Sequence, residues 1–222
     1  HNVGFPALDL IVAGDYATPE ELETQYGIAP SIPQVLFTQH SVTTEVELAT
    51  EQITPSLQAL EILAKEGVQI MITYPNNDAG GRRIIEEIEK LRQRNLPNIQ
   101  VQKSLGRYNY HGFLNLCGNV GRGVCIGNSS SGIKETPALN CPTVNIGTRQ
   151  NSRLRAENVI DAPYNCNDIL SAIRFCLEDV DFRMLCKSCH NPYGSGNTGN
   201  LIIDTLAQIP KNSQLCQKKM TF

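Results

Sequence analysis

The segment Gly127-Asn128-Ser129-Ser130-Ser131-Gly132 sets three consecutive hydroxyls between glycines, where an apolar run passes into a helical one. Small residues let backbone N–H groups approach a phosphate, a helix start favours its charge, and serine hydroxyls add donors. An ordinary strand-to-helix turn with a serine cap has the same composition, so the segment alone fits a phosphate cradle or a cap. Glu135 falls about one helical turn further on, where its carboxylate can accept from a ribose diol or complement the helix dipole. Arg149, in Gly147-Thr148-Arg149-Gln150, carries a permanently charged fork suited to phosphate or to a carboxylate, or is a solvated surface residue. His40 ends an apolar run with hydroxyl residues after it, which suits a diphosphate contact, a proton-transfer group or a purely structural histidine. Asn76 and Asp78 precede Gly80-Gly81 and read either as pocket groups or as turn and cap residues.

One further motif points to different chemistry. Cys186-Lys187-Ser188-Cys189-His190 has the spacing of covalent haem attachment. That chemistry belongs to exported proteins, and no export signal opens this chain. A zinc site using Cys186, Cys189 and His190 lacks a second C-x-x-C or H-x-x-x-H to complete it. Neither a metal nor a redox cofactor is therefore expected.

The elements that must position these residues follow from periodicity and caps. Thr18-Pro19-Glu20-Glu21 is a capping box with proline at the first helical position, and Gly27 is a stop. Gln34 to Gln39 reads as a buried strand. Thr44-Glu45-Val46-Glu47 reads as a second capping box, opening a helix to Glu66 that Pro55 is expected to kink or split. Strands are expected at 68–74, 99–102, 123–126, 143–146 and 158–160. Helices are expected at 82–94, near 108–117, after Gly132, at 167–179 and at 197–208. This βαβα order with apolar strands predicts an α/β fold, an open parallel sheet with helices on both faces. Ligands of such sheets bind outside the carboxyl ends of the strands, which gathers His40, Asn76 to Asp78, Asn128 to Gly132 and Arg149 at one edge.

Size and composition agree with a single large α/β domain: 222 residues, 41% hydrophobic, 18% charged. The net charge of −3 removes the electrostatic case for nucleic acid. No apolar run approaches the roughly 18 to 20 residues that span a bilayer, so no membrane partner is expected. The eight cysteines are spread between Cys117 and Cys216, as expected of reduced core thiols in a cytoplasmic protein. The chain opens His1-Asn2-Val3 without methionine, so it is expected to be part of a longer protein.

Taken in order, five stretches resemble the hydrolysing UDP-N-acetylglucosamine 2-epimerases. They are His40-Ser41-Val42-Thr43-Thr44-Glu45, Tyr74-Pro75-Asn76-Asn77-Asp78-Ala79-Gly80, Gly127 to Glu135, Pro142 to Gln150, and Asn191-Pro192-Tyr193-Gly194. The resemblance runs from Val3 to about Leu206. It implies a Rossmann-like domain forming one half of a GT-B architecture, with residues 1–222 as the C-terminal UDP-binding domain and 209–222 as its tail. It implies that Ser129 and Ser130 hold the diphosphate, Glu135 the ribose, Arg149 the phosphate side or a closing contact, and Asn76 the nucleotide pocket. His40 would serve the diphosphate and catalysis. The implied partners are a UDP-sugar and an N-terminal domain of the same chain that supplies the catalytic carboxylates; a homo-oligomer is compatible with it. This half alone is expected to bind nucleotide weakly without turnover. Ser41, Ser152 and Ser195 depart from the family pattern, where proline, glycine and aspartate are common. A UDP-sugar-dependent GT-B glycosyltransferase and a non-catalytic nucleotide-binding module are the alternatives.

Overall fold

The computed structural model describes residues 1–209; most of the expected 209–222 tail lies outside the described residues. Six strands form one sheet: β1 (Gln34–Thr38), β2 (Gln69–Thr73), β3 (Ile99–Gln102), β4 (Gly123–Gly127), β5 (Thr143–Ile146) and β6 (Val159–Ala162). All neighbours are parallel and the order is β3-β2-β1-β4-β5-β6. The helices are α1 (Ala7–Val12), α2 (Pro19–Tyr26), α3 (Ala49–Lys65), α4 (Gly81–Arg92), α5 (Gly106–Asn115), α6 (Ser131–Lys134), α7 (Cys166–Glu178), α8 (Val180–Ser188) and α9 (Thr198–Gln208).

Strand alternation divides the apolar side chains between two cores. Val35, Phe37, Ile70, Ile72, Val124 and Ile126 pack against α3, α4 and α7. Leu36, Met71 and Cys125 face the other way, towards α1, α2 and α5. Each fully buried aliphatic side chain of this kind contributes roughly 1.5–3 kcal/mol relative to exposure. Because both faces are covered, the strands carry apolar residues in near-continuous runs, as expected of a parallel sheet.

The first capping box forms: Thr18 Oγ1 accepts from the Glu21 N–H at 3.3 Å, and the Thr18 N–H donates to Glu21 Oε2 at 2.8 Å. The second does not. A 3-10 turn spans Val46–Leu48, α3 starts only at Ala49, and Glu47, the acid of that box, accepts from Arg83 Nη1 at 3.4 Å instead of capping. Nor does Pro55 split α3, which runs through it with nine buried side chains. The single hydrogen bond lost at proline is smaller than the burial that the continuous helix secures. The sequence reading also passed over α1 and α8, short helices of six and nine residues.

Candidate functional site

Crossovers from β1 run one way to β2 and β3, and those from β4 run the other way to β5 and β6. A crevice therefore opens between β1 and β4 at their carboxyl ends, the position where doubly wound sheets receive ligands. Thr38 and Gly127 are paired there. A Cβ on Gly127 would sit 2.0 Å from the Thr38 carbonyl oxygen, and its φ of +120° lies where side chains are strained. Glycine thus permits the close approach that lets Asn128 cross between the strands. Its backbone N–H donates to Thr38 O at 3.1 Å. The His40 N–H donates to Asn128 Oδ1 at 2.7 Å, and Asn128 Nδ2 donates back to His40 O at 2.8 Å. From the segment after β5, Gln150 Nε2 at 2.7 Å and Arg149 Nη1 at 3.2 Å both donate to Asn128 O.

The His40 ring is held as firmly as its backbone. Its Nδ1 accepts from the Asn76 N–H at 3.0 Å, which leaves the ring proton on Nε2. Asn76 Nδ2 in turn donates to Asp78 Oδ2 at 2.7 Å, and Arg149 Nη2 reaches the same oxygen at 3.4 Å. The Asn76 amide, with Arg149 behind it, holds the Asp78 carboxyl below the usual range. Burial, and then the Arg149 guanidinium, push His40 down to about 4. At neutral pH the imidazole is uncharged and offers an Nε2–H donor.

Beside this cluster lies a cleft of about 310 Å³, lined by Lys103 to Arg107, the loop after β3 and the first residues of α5, by Tyr74, Tyr110 and His111, and by Ser129, Ser131 and Glu135. Ser131 Oγ donates to Ser129 Oγ at 2.8 Å. Its one proton being spent there, the Tyr110 hydroxyl must be the donor in its 2.9 Å contact with Ser131 Oγ. Ser129 therefore receives a hydrogen bond and keeps its own proton for the cleft. The backbone N–H groups of Ser129 and Ser130 have no acceptor among the described residues.

The six residues singled out from sequence thus fall into two adjoining groups. His40, Asn76 and Arg149 surround Asn128, while Ser129 and Glu135 line the cleft. Ser130 stands between, half-buried at the cap of α6, with no side-chain cap bond and outside the cleft lining. Two details correct the sequence reading. Helix α6 has only four residues, so little macrodipole stands behind the serines, and what the segment can offer an anion is its donor groups. Glu135 follows α6 rather than sitting in its first turn, so dipole complementation does not account for it. Sequence reasoning missed the Lys103 to Arg107 loop, although the rule applied to the other strand ends, polar residues after the carboxyl end, would have found it. His111 gave no signal inside an apolar helix.

The C-x-x-C-H stretch forms no metal set: among the described residues no three His, Cys, Asp or Glu side chains gather that way. Cys186 is buried in the core, its thiol pushed up to about 12 by burial, and Cys189 Sγ donates to Cys186 O at 3.2 Å. All seven described cysteines are free thiols, five of them buried. Among the described residues no helix is long and apolar enough to cross a membrane.

A six-stranded parallel sheet of this order, with its polar groups gathered at the switch point, defines the class of Rossmann-like α/β domains. The sequence profile of the family described as UDP-N-acetylglucosamine 2-epimerase matches residues 1–207, and the chain belongs to that family. It is 33% identical over 217 residues to the UDP-N,N'-diacetylbacillosamine 2-epimerase (hydrolyzing) of Legionella pneumophila, covering 98% of this chain and 54% of that protein. It is 30% identical over 177 residues to the UDP-N-acetylglucosamine 2-epimerase of Neisseria meningitidis, covering 78% and 43%. The crystal structure of a UDP-GlcNAc 2-epimerase from Neisseria meningitidis bound to UDP-GlcNAc superposes with a TM-score of 0.67 at 17% identity, over 93% of this chain and 55% of that one. The chain spans about half the length of these relatives.

Proposed function

We propose that this chain is the UDP-binding half of a hydrolysing 2-epimerase acting on a UDP-linked 2-acetamido sugar. Residues 1–222 form one domain that closes on an N-terminal domain of the same protein in a GT-B arrangement. The observation that carries the reading is the continuity of the two groups at the switch point: Asn128, whose side chain fixes His40, is followed directly by Ser129 in the cleft with Glu135. Ser129 and Ser130 offer unspent N–H and hydroxyl donors to a diphosphate, Glu135 accepts from the ribose, and the Lys103 to Arg107 loop receives the base. Arg149 and Asn76 border the phosphates and support His40.

In the proposed reaction a base removes the C2 proton, the C1–O bond breaks, and UDP leaves as the C1=C2 double bond of 2-acetamidoglucal forms. Water then adds, its hydroxyl to C1 and a proton to the opposite face of C2, releasing N-acetylmannosamine from UDP-GlcNAc. His40 donates through Nε2 to the departing diphosphate, while the carboxylates that move the C2 proton come from the other half. This half alone binds nucleotide without turnover. The hydrolysing branch is supported by the Val42-Thr43-Thr44-Glu45 sequence after His40 and by the hydrolysing activity for which the Legionella relative is named. Free core thiols support a reducing, cytoplasmic setting.

The test is incubation of the full-length natural protein with UDP-GlcNAc, and separately with UDP-diacetylbacillosamine, without any acceptor. Release of UDP together with the free 2-epimeric sugar from one of them is expected. Release only when an acceptor sugar is added would identify a glycosyltransferase and overturn the reading, as would no release at all.

A further inference from the structure

Glu135 has a partner that nothing in the reaction requires. His111 Nε2 lies 3.1 Å from Glu135 Oε2, with the two side chains 3% and 14% exposed. A carboxylate only accepts, so the contact is attractive only when Nε2 carries a proton. The other ring nitrogen, Nδ1, is buried with no partner, so the ring gives up one polar atom's solvation and recovers only the bond to Glu135. Oε1 of Glu135 accepts no hydrogen bond among the described residues, and the carboxylate borders the cleft shared with Ser129. One oxygen is thus tied down and the other is presented.

The platform behind His111 is rigid. At the next residue, Gly112, a Cβ would meet Ala17 O at 2.6 Å, so α5 sits against the 15–17 segment at a separation only glycine allows. One residue earlier, Tyr110 supports the serine loop through Ser131. Consecutive residues of α5 therefore brace the two groups assigned to diphosphate and ribose.

We propose that His111 is a positioning residue for ribose recognition, clamping Oε2 of Glu135 so that Oε1 stands ready for the hydroxyls of a nucleotide diol. The inference rests on the assignment of Glu135 to the ribose. A glutamate carboxylate on three rotatable bonds must lose that freedom to accept from a diol, and the histidine removes it before the ligand arrives.

The experiment measures Kd of the full-length protein for UDP and for 2′,3′-dideoxy-UDP by calorimetry, in the unaltered protein and in His111→Phe and His111→Gln. The unaltered protein is expected to prefer UDP by about tenfold or more, the size of a hydrogen bond to a charged group. His111→Phe should erase most of that preference by weakening UDP alone. His111→Gln, whose amide nitrogen falls near the place of Nε2, should restore it. Should H111F not fold, as judged by its thermal melt, H111N takes its place, its amide being too short to reach the carboxylate. Preference that survives loss of the donor, or equal weakening of both nucleotides, would overturn the role of His111 while leaving Glu135 on the ribose. Equal binding of the two nucleotides by the unaltered protein would overturn the ribose assignment, and the proposal with it.

Discussion

The two groups at the switch point differ in how much of their hydrogen bonding the protein has already used. Around His40 nearly everything is spent: backbone N–H and C=O on Asn128, Nδ1 on Asn76, and Asp78 on Asn76 and Arg149. Around Ser129 and Glu135 much is unspent, including two backbone N–H groups, the Ser129 hydroxyl proton and one carboxylate oxygen. A group meant to act on a bond must be held by the protein, whereas a group meant to receive a ligand must be left wanting one. Under the proposed function the difference separates a positioned chemical group from a receptor, and substitutions test it.

The largest effect should come from the residue on which both groups depend. Gly127→Ala drives a Cβ into the Thr38 carbonyl and should cost about 3 kcal/mol or more, read as a lowered urea midpoint with loss of UDP binding. A stable, UDP-binding variant would show that Asn128 does not need the close approach. His40→Asn should lower turnover of the full-length protein by roughly 10²- to 10⁴-fold, the range of general acid–base catalysis, with UDP affinity changed much less. Equal losses in both would erase the distinction between the groups. Ser130→Ala and Glu135→Ala should do the reverse, weakening UDP by roughly 1 to 3 kcal/mol each in calorimetry. Unchanged binding would reduce the serine segment to a turn.

The smallest effect is the most specific to the comparison. The His40 imidazole should titrate near 4 in NMR spectra of the ligand-free protein, and UDP should move that midpoint up, towards the ordinary 6.5. The sign follows from charge: burial and Arg149 disfavour the imidazolium, whereas a bound diphosphate carries negative charge that favours it. A midpoint that UDP leaves in place would put the diphosphate away from His40.

Element order was largely legible because parallel strands buried on both faces announce themselves as apolar runs, and Thr18 and Gly27 mark their helix ends by local chemistry alone. The start of α3 was not, since Thr44 and Glu47 form a capping pattern whose acid is drawn instead to Arg83, on a different helix. Strand order was equally hidden: that β1 lies beside β4 is decided by packing over some 90 residues of chain. In the site, His40, Asn76, Arg149 and the serines were found because each follows a strand. His111 and Tyr110 escaped because they act from within a helix on partners 24 and 21 residues away, a relation no local pattern records.

The ends of the described domain meet. The Phe5 N–H donates to Tyr193 O at 2.9 Å, and Asp9 receives the Thr198 and Gly199 N–H groups at 2.8 and 2.7 Å, capping α9 from the far end of the chain. Residues 189 and 190 apart in sequence thus close one corner of the domain, so the first turn of α9 depends for its cap on a helix made almost the whole chain earlier.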